Sequence, residues 1–379
     1  MKKFSTNKFI VKAGLLLTAF VLIITQTGCM SNGQNAAANQ GVSKTGFYLD
    51  TICTVTIYGM EDADGRLAAM SAEELEKECY LIITDAFKIC TKYENMLSKT
   101  IGTSDIARIN DAGGKAVTVS KETIEVLKKG MGFGELSGGA FDITIGKVTD
   151  LWDFHDGEET GHEGGIVPEE ENLKEAVAHV NYKNIVIDGQ KVRLTDPETE
   201  INLGGIAKGY IADKVAEYLE SCGVVSAIVD LGGNIIAVGA KTACLVTASE
   251  DVTSTEKTEE FNVGIRNPLS DKGELLGVVP CKDKTVVTSG TYERYFEKDG
   301  VRYHHILDVK TGYPVETDVL SVTIIADRGK SADCDGLSTT CLVLGIDKGM
   351  ELVKSLDGFE AVFVDVEGNV EFSSDDIKF

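Results

Sequence analysis

Short β-branched and aromatic segments separated by glycine-marked turns are the feature that most constrains the fold of this chain. The clearest stretch, Thr288 to Val315, contains Asp299-Gly300, a dipeptide typical of the type I′ turn between antiparallel strands. Residues 184–195 and 361–372 show the pattern of two further hairpins. Helical segments interrupt these strands without regular strand–helix alternation. The sequence therefore predicts an α+β fold with mixed, largely antiparallel sheets and packed helices.

Capping residues locate three of the helices. Ser71 and Glu74 match a capping box and precede a long helical period, and Ser120 is placed to cap a shorter helix. Another helix is expected to begin near Ala332. With 379 residues, of which 43% are hydrophobic, the chain is long enough to bury a sizeable core.

The N-terminus resembles the signal peptide of an exported lipoprotein. Residues 1–28 contain four lysines, no acidic residue and an apolar run of about twelve residues, which is too short to cross a membrane comfortably. The four residues that end at Cys29 are similar to a lipobox, in which this cysteine becomes the lipidated N-terminus. Residues 29–45 are small and polar, as in a flexible tether.

These N-terminal features predict one domain over residues 46–379, held by a lipid anchor on the extracytoplasmic face of the cell membrane. A cleaved soluble form and an uncleaved anchor remain alternatives.

The acidic balance of the chain argues against a nucleic-acid partner. The formal net charge is −23, and it becomes −27 once the four signal lysines are removed. Such a surface repels nucleic acid and anionic lipid. A phosphate-bearing ligand would therefore need a local positive group or a bound cation.

One candidate site is a set of oxygen-bearing side chains near the start of the helix that follows residue 331. Asp335 and Thr339 are four residues apart and Ser338 lies between them, so the three oxygens share one face. A carboxylate with hydroxyls suits a hard cation, and Mg²⁺ fits better than zinc. The alternative is a helix start whose polar side chains satisfy free amides.

The glycine-rich turn that precedes another helix is a second candidate. Its glycines, including Gly205, allow close approach to a ligand, and Lys208 adds a positive charge at the helix start. It is not a P-loop, because the Gly-Lys-Ser/Thr ending is absent. A purely structural turn is the alternative.

Two further segments carry ambiguous residues. Phe141 and Asp142 follow paired glycines, and they suit either a ligand contact or a core residue beside a turn former. His304 and His305 point to opposite faces of a strand, so the sequence alone does not say which of them is functional.

Taken together and in order, these blocks resemble the ApbE family, the FAD:protein FMN transferases, which are often envelope lipoproteins. The blocks are SGGAFDITIG, INLGGIAKGYIAD, DLGGN, GIRNP, TSGTYERYF, YHHILD, TGYPV and GLSTTCLVLG. The resemblance covers the chain from about Phe47 onward and implies an ApbE-like, T-fold-related architecture. It also implies Mg²⁺-dependent transfer of FMN from FAD to a Thr or Ser hydroxyl of a target flavoprotein, with release of AMP.

The resemblance assigns roles to individual residues. It implies that His305 is catalytic, that Cys29 is lipidated, and that the acceptors are flavoprotein subunits of membrane redox complexes of the RNF or Na⁺-pumping type. The implied metal ligands are Gly205, Asp335, Ser338 and Thr339. The implied FAD contacts are Leu49, Ala140, Phe141, Asp142, Asn202, Lys208 and Ile306.

The chain departs from the family pattern at four places. The early Met-Gly-Thr is Leu49-Asp50-Thr51, the aspartate before the glycine pair is Asn202, Val309 replaces a proline, and Lys99 replaces an aromatic residue. An FAD pyrophosphatase and a non-enzymatic flavin-binding lipoprotein remain alternatives to the transferase.

Overall fold

The fold is built around one large antiparallel sheet. The structure, a computed structural model, describes residues 40–154, 165–242, 245–248, 259–270 and 272–377. Among these, nine strands form the main sheet: β1 (Val42–Tyr48), β2 (Thr51–Asp62), β6 (Val224–Leu231), β7 (Asn234–Val238), β8 (Val246–Ala248), β11 (Lys284–Gly290), β14 (Val319–Asp327), β15 (Phe359–Asp365) and β16 (Val370–Phe372). Their order is β1-β2-β6-β7-β11-β14-β15-β16, and β8 pairs with β2 as the one parallel neighbour. The predicted α+β class with largely antiparallel pairing is confirmed.

Smaller sheets and the helices surround the main sheet. Three strands form one small sheet and four form two ribbons: β3 (Val117–Thr118), β4 (Ile185–Asp188), β5 (Lys191–Leu194), β9 (Phe261–Arg266), β10 (Leu275–Cys281), β12 (Tyr295–Lys298) and β13 (Val301–His304). The helices are α1 (Ala72–Leu97), α2 (Asp105–Asn110), α3 (Lys121–Leu136), α4 (Gly146–Thr149), α5 (Glu170–Val177), α6 (Ala207–Ser221), α7 (Ser331–Leu344) and α8 (Ile346–Lys354).

Helices cover one face of the main sheet, and a ribbon covers part of the other. The main core lies between the sheet and helices α1, α6 and α7, and the ribbon β9–β10 forms a second core on the opposite face. Ser71 and Glu74 make the predicted capping box of α1, and Ser120 caps α3 through the Thr123 N–H. No helix in the described part of the chain is long and apolar enough to cross a membrane.

The boundary between the predicted tether and the folded domain lies closer to the N-terminus than the sequence indicated. Residues 1–28 and Cys29 lie outside the described residues. Residues 42–45, which were assigned to the tether, instead belong to β1 and pair in register with residues 54–57 of β2. After Val42 the strand begins with the polar residues Ser43 and Lys44, and the Thr56 hydroxyl donates to Ser43 across the pair at 2.9 Å. Cross-strand pairing thus overrides the polar composition.

Two hairpin turns and the end of a strand meet at one end of the main sheet. Leu49-Asp50 joins β1 to β2 and Gly232-Gly233 joins β6 to β7, and all four residues have positive φ, as a type I′ turn requires. A Cβ on Gly232 would lie 2.4 Å from Thr51, so the two tips are in contact. The end of β11 arrives beside them, because Val287 pairs with Asn234.

Helices α6 and α7 approach this end with their N-termini together. A Cβ on Gly209 would lie 2.2 Å from the Ser331 carbonyl oxygen, so only glycine permits the observed approach. Each helix also caps the other. The Asp213 carboxylate of α6 accepts from the Ser331 and Ala332 N–H groups at 3.1 Å, and the Asp335 carboxylate of α7 accepts from the Gly209 N–H at 2.9 Å.

Replacing Gly209 tests this close approach. Gly209→Ala should lower the free energy of unfolding by about 2–3 kcal/mol, because the new methyl group forces two buried helices apart. Urea unfolding monitored by circular dichroism measures the change. Gly132→Ala is the matched control: Gly132 lies in α3 with no atom within 4 Å of the added Cβ, and alanine there should stabilise the helix by about 0.5–1 kcal/mol. Equal unfolding midpoints for Gly209→Ala and wild type would contradict the packing described.

Candidate functional site

The cluster of chemically active side chains lies at the sheet end where the turns and the two helix N-termini meet. It draws residues from four elements: Lys208 from α6, Asp335 and Thr339 from α7, Ser289 from β11, and His305 from the segment after β13. Residues from distant parts of the sequence are therefore brought together by the topology of the sheet.

The Asp335 carboxylate is the buried anionic centre of this cluster. The residue is 3% exposed. Burial raises the pKa of its carboxyl, and the Lys208 charge and the Gly209 N–H lower it. A buried carboxylate held between a lysine and a helix N-terminus is well placed to share a cation.

Hydroxyl groups extend the oxygen cluster from α7 to β11. Ser289 Oγ lies 2.7 Å from Ser338 Oγ and 3.3 Å from Thr339 Oγ1. Ser338 Oγ also donates to the Asp335 carbonyl at 3.0 Å, so it is engaged within its own helix. Sequence patterns did not identify Ser289, whose position becomes apparent only when β11 packs under α7.

Gly205 lies against the same oxygen cluster. A Cβ built on Gly205 would be 3.0 Å from the Phe141 ring and 3.7 Å from Thr339 Oγ1. Phe141 is buried and packs edge-to-face on Phe133, with ring centroids 5.9 Å apart. The structure thus brings Gly205, Phe141 and Thr339 together, as the sequence blocks suggested.

The donors in this cluster suit a hard cation. The residues available are one carboxylate, two or three hydroxyls and a backbone carbonyl, and all of them are oxygen ligands of the kind that Mg²⁺ prefers. Within the described ranges, no three His, Cys, Asp or Glu side chains are grouped closely enough to hold a metal. The donor set therefore fits Mg²⁺ and does not fit a zinc site.

Lys208 provides the positive charge at the centre of the cluster. Its Nζ lies 3.5 Å from the Gly232 carbonyl oxygen at the tip of the β6–β7 turn. Burial raises the pKa values of the Asp230, Glu293 and Asp335 carboxyls, and the same ammonium opposes that rise. Together with the N-terminus of α6, it creates a local site for anions in an otherwise acidic protein.

His305 lies just beyond the end of β13 with a defined tautomer. Its backbone N–H and its Nδ1 both lie within hydrogen-bond distance of the Arg294 carbonyl oxygen, at 3.0 and 3.1 Å. A carbonyl can only accept, so Nδ1 carries the proton and Nε2 keeps its lone pair. Desolvation lowers the pKa of His305 to about 3, and the Arg294, His304 and Lys208 charges add to this effect.

An aromatic cluster fixes the segment that carries His305. Trp152, Phe154, Phe296, Tyr303 and Tyr313 pack together, and Trp152 Nε1 donates to the Gly312 carbonyl at 2.9 Å. The Phe154 ring lies 6.5 Å from the His305 ring. The cluster therefore positions His305 without a direct polar contact.

Two charged residues just before β12, the acidic Glu293 and the basic Arg294, were not identified from the sequence. Arg294 donates from Nη2 to the Asp50 carbonyl at 2.9 Å and so ties this segment to the β1–β2 tip. Glu293 is open to solvent on one side. Partial burial raises the pKa of its carboxyl, Lys208 opposes this rise, and the Asp335 charge adds to it.

Several predicted FAD contacts use their side chains within the protein. The Asp142 carboxylate accepts from Thr144 N–H, Thr144 Oγ1 and Tyr182 N–H at 2.6–2.8 Å. Asn202 accepts from the Gly204 N–H and donates to Thr149 Oγ1. Both residues therefore shape the turns at the edge of the cluster, and for Asp142 this is the turn-forming alternative that the sequence left open.

The remaining predicted contacts lie at the border of the cluster. Leu49 is half-buried in the β1–β2 tip that Arg294 contacts, and Ala140 is half-buried beside Phe141. Ile306 is buried next to His305 and accepts from the Val315 N–H at 2.9 Å.

Two open cavities lie away from this cluster. One, of about 390 Å³, lies beside β9, and another, of about 430 Å³, lies between Lys284 and Gly358. Neither is lined by Lys208, His305 or Asp335. The candidate site is therefore identified by its charges, oxygens and glycines and not by the volume of a cavity.

A family model and individual relatives indicate the same protein family for this chain. The model of the ApbE family matches residues 49–363. A Treponema pallidum protein named FAD:protein FMN transferase is 34% identical over 93% of this chain and 92% of its own length. A Klebsiella pneumoniae protein of the same name is 33% identical over 76% and 83%.

Solved structures agree with this result. The crystal structure of the ApbE protein from Thermotoga maritima superposes with a TM-score of 0.71, at 30% identity, over 88% of this chain and 96% of that one. The flavin transferase ApbE from Vibrio cholerae, at 24% identity, supports the fold alone, with a TM-score of 0.68 over 88% and 96%. The family model and the relatives each cover most of the chain, and the chain belongs to the ApbE family.

Proposed function

We propose that the chain transfers the FMN half of FAD to a Ser or Thr hydroxyl of a flavoprotein, using Mg²⁺ and releasing AMP. The transferase activity follows from membership of the ApbE family and from the name that its relatives carry. The metal and the role of each residue are our proposal. The main support for this proposal is that His305, Lys208 and the buried Asp335 belong to the same cluster.

The pyrophosphate of FAD would lie near Lys208 and the N-terminus of α6. The ammonium and the positive end of the helix dipole there both favour negative charge, which the −23 chain otherwise disfavours. The cation Mg²⁺ would be held beside the pyrophosphate by Asp335, Thr339 and the Gly205 carbonyl. The Ser289 hydroxyl lies within hydrogen-bond distance of both Ser338 and Thr339 and so would lie next to this site. Bound there, Mg²⁺ neutralises phosphate charge and makes AMP a better leaving group.

His305 acts as the general base in this proposal. Its Nε2 lone pair accepts the proton of the acceptor hydroxyl while that oxygen forms a bond to the FMN phosphorus. The bond between that phosphorus and the bridging oxygen breaks, and AMP leaves with the electron pair. In the ligand-free protein desolvation lowers the pKa of His305, and the Arg294 and Lys208 charges add to this effect. A bound pyrophosphate offsets the contribution of those two charges.

Removing the base tests this assignment. His305→Ala should slow the formation of covalent FMN on a recombinant acceptor subunit of an RNF or Na⁺-pumping complex by roughly 10²–10⁴-fold. Mass spectrometry of the acceptor after incubation with FAD and Mg²⁺ measures the transfer, and FAD binding should persist.

Two controls accompany the His305 experiment. His304→Gln changes the neighbouring histidine, whose Nδ1 is buried, and it should keep transfer within a few-fold of wild type. Free FMN and AMP that appear without acceptor, at the rate of turnover, would indicate the pyrophosphatase alternative instead. Full activity of His305→Ala would show that the catalytic assignment is wrong.

We also propose that the chain acts from a lipid anchor at the extracytoplasmic face of the cell membrane. The basic and apolar N-terminus, the lipobox-like cysteine and the polar tether support this location. An anchor of this kind keeps the domain beside membrane-bound acceptors, which fits redox-complex subunits as substrates.

Replacing the anchor cysteine tests the location. Cys29→Ser should abolish the incorporation of labelled palmitate and move the protein from the membrane fraction to the soluble fraction, because the acyl chains supply the membrane affinity. Fractionation of labelled cells measures both effects. If the variant stays labelled, lipidation at Cys29 is refuted.

A further inference from the structure

Asn234 is a buried polar residue beside the site that sequence patterns did not assign. It is the first residue of β7, directly after the Gly232-Gly233 turn, and pairs with Leu231 and Val287. Its exposure is 1%. In the described part of the chain, neither its Nδ2 nor its Oδ1 has a hydrogen-bond partner.

An unpaired buried amide is costly in a folded protein. Each unsatisfied donor or acceptor costs about 1–3 kcal/mol relative to its hydrated state. An apolar side chain of similar size at this position would avoid that cost. The amide is therefore best explained by hydrogen bonds that are completed only when a ligand binds beside it.

Strand β7, which begins with Asn234, packs against α7, the helix that carries the Asp335 carboxylate. Burial raises the pKa of Asp335 and the Asn234 side chain opposes that rise, although neither polar atom of the amide has a hydrogen-bond partner. The Gly209 N–H already occupies one of the carboxylate oxygens, Oδ2. A small rotation of the amide would let Nδ2 donate to the carboxylate and would leave Oδ1 as an acceptor.

We propose that Asn234 is a positioning residue for the cation site: Nδ2 donates to Asp335 and orients its oxygens, and Oδ1 accepts from a water of the hydrated cation. This inference rests on the proposed metal role of Asp335. Residues that orient a metal ligand in this way typically change metal affinity about 10–100-fold when they are removed.

Binding of Mn²⁺ without FAD tests this role independently of activity. Asn234→Leu keeps the approximate size of the side chain and removes both polar atoms. The dissociation constant for Mn²⁺, measured by electron paramagnetic resonance, should rise at least about 10-fold. The thermal midpoint in EDTA should stay equal or rise, because the Asn234 amide has no hydrogen-bond partner to lose in the metal-free protein. A lower midpoint in EDTA, or unchanged Mn²⁺ affinity, would overturn the proposal.

Ser226→Ala is the matched control. Ser226 lies in β6 of the same sheet, is fully buried and also has an unpartnered hydroxyl among the described residues. It lies next to Gly59 and not beside Asp335. Its replacement should leave Mn²⁺ affinity unchanged, and a change equal to that of Asn234→Leu would refute a specific role for Asn234.

Asp335→Asn separates this inference from the proposed function. If Asp335→Asn abolishes Mn²⁺ binding while Asn234→Leu binds like wild type, only the role of Asn234 fails. If Asp335→Asn binds Mn²⁺ normally, or if wild type does not bind it, the cation site itself fails and the inference fails with it.

Discussion

The reciprocal capping of α6 and α7 is the interaction on which the rest of the site depends. Two helix N-termini that converge place partial positive charges together, which is unfavourable unless anionic groups lie between them. Asp213 and Asp335 supply those groups, and Gly209 lets the helices come close enough for both hydrogen bonds. Burial raises the pKa of Asp213 to about 6, so this carboxylate remains ionised at neutral pH. The positive region that persists near Lys208 is then available to an anionic ligand.

The sheet brings the other parts of the site to the same place. Its antiparallel order puts the tips of two hairpins and the end of β11 at one edge, and the segment after β11 returns through the aromatic cluster around Trp152. Ser289, Arg294 and His305 therefore reach the helix N-termini from the opposite side. An acidic protein thus gains an electropositive region around Lys208 without changing its overall charge.

Local patterns predicted much of this arrangement. The Asp299-Gly300 turn, the capping box at Ser71 and the shared face of Asp335 and Thr339 depend on residues close in sequence, where spacing and backbone preference decide the outcome. Contacts between distant segments were not predictable in this way. Ser289 meets Thr339, and Asn234 approaches Asp335, only because α7 packs on the strands β11 and β7. The Leu49-Asp50 turn also escaped prediction, because residues other than glycine seldom adopt positive φ at both positions.

The most direct test of the central claim is a crystal structure of the protein with FAD and Mn²⁺, in which anomalous scattering locates the metal. The account predicts a Mn²⁺ peak bound by Asp335, Thr339 and the Gly205 carbonyl. It also predicts that the FAD pyrophosphate contacts both that ion and Lys208, with His305 Nε2 facing the FMN phosphate. A pyrophosphate bound away from Lys208, or a metal peak outside the Asp335 cluster, would contradict it.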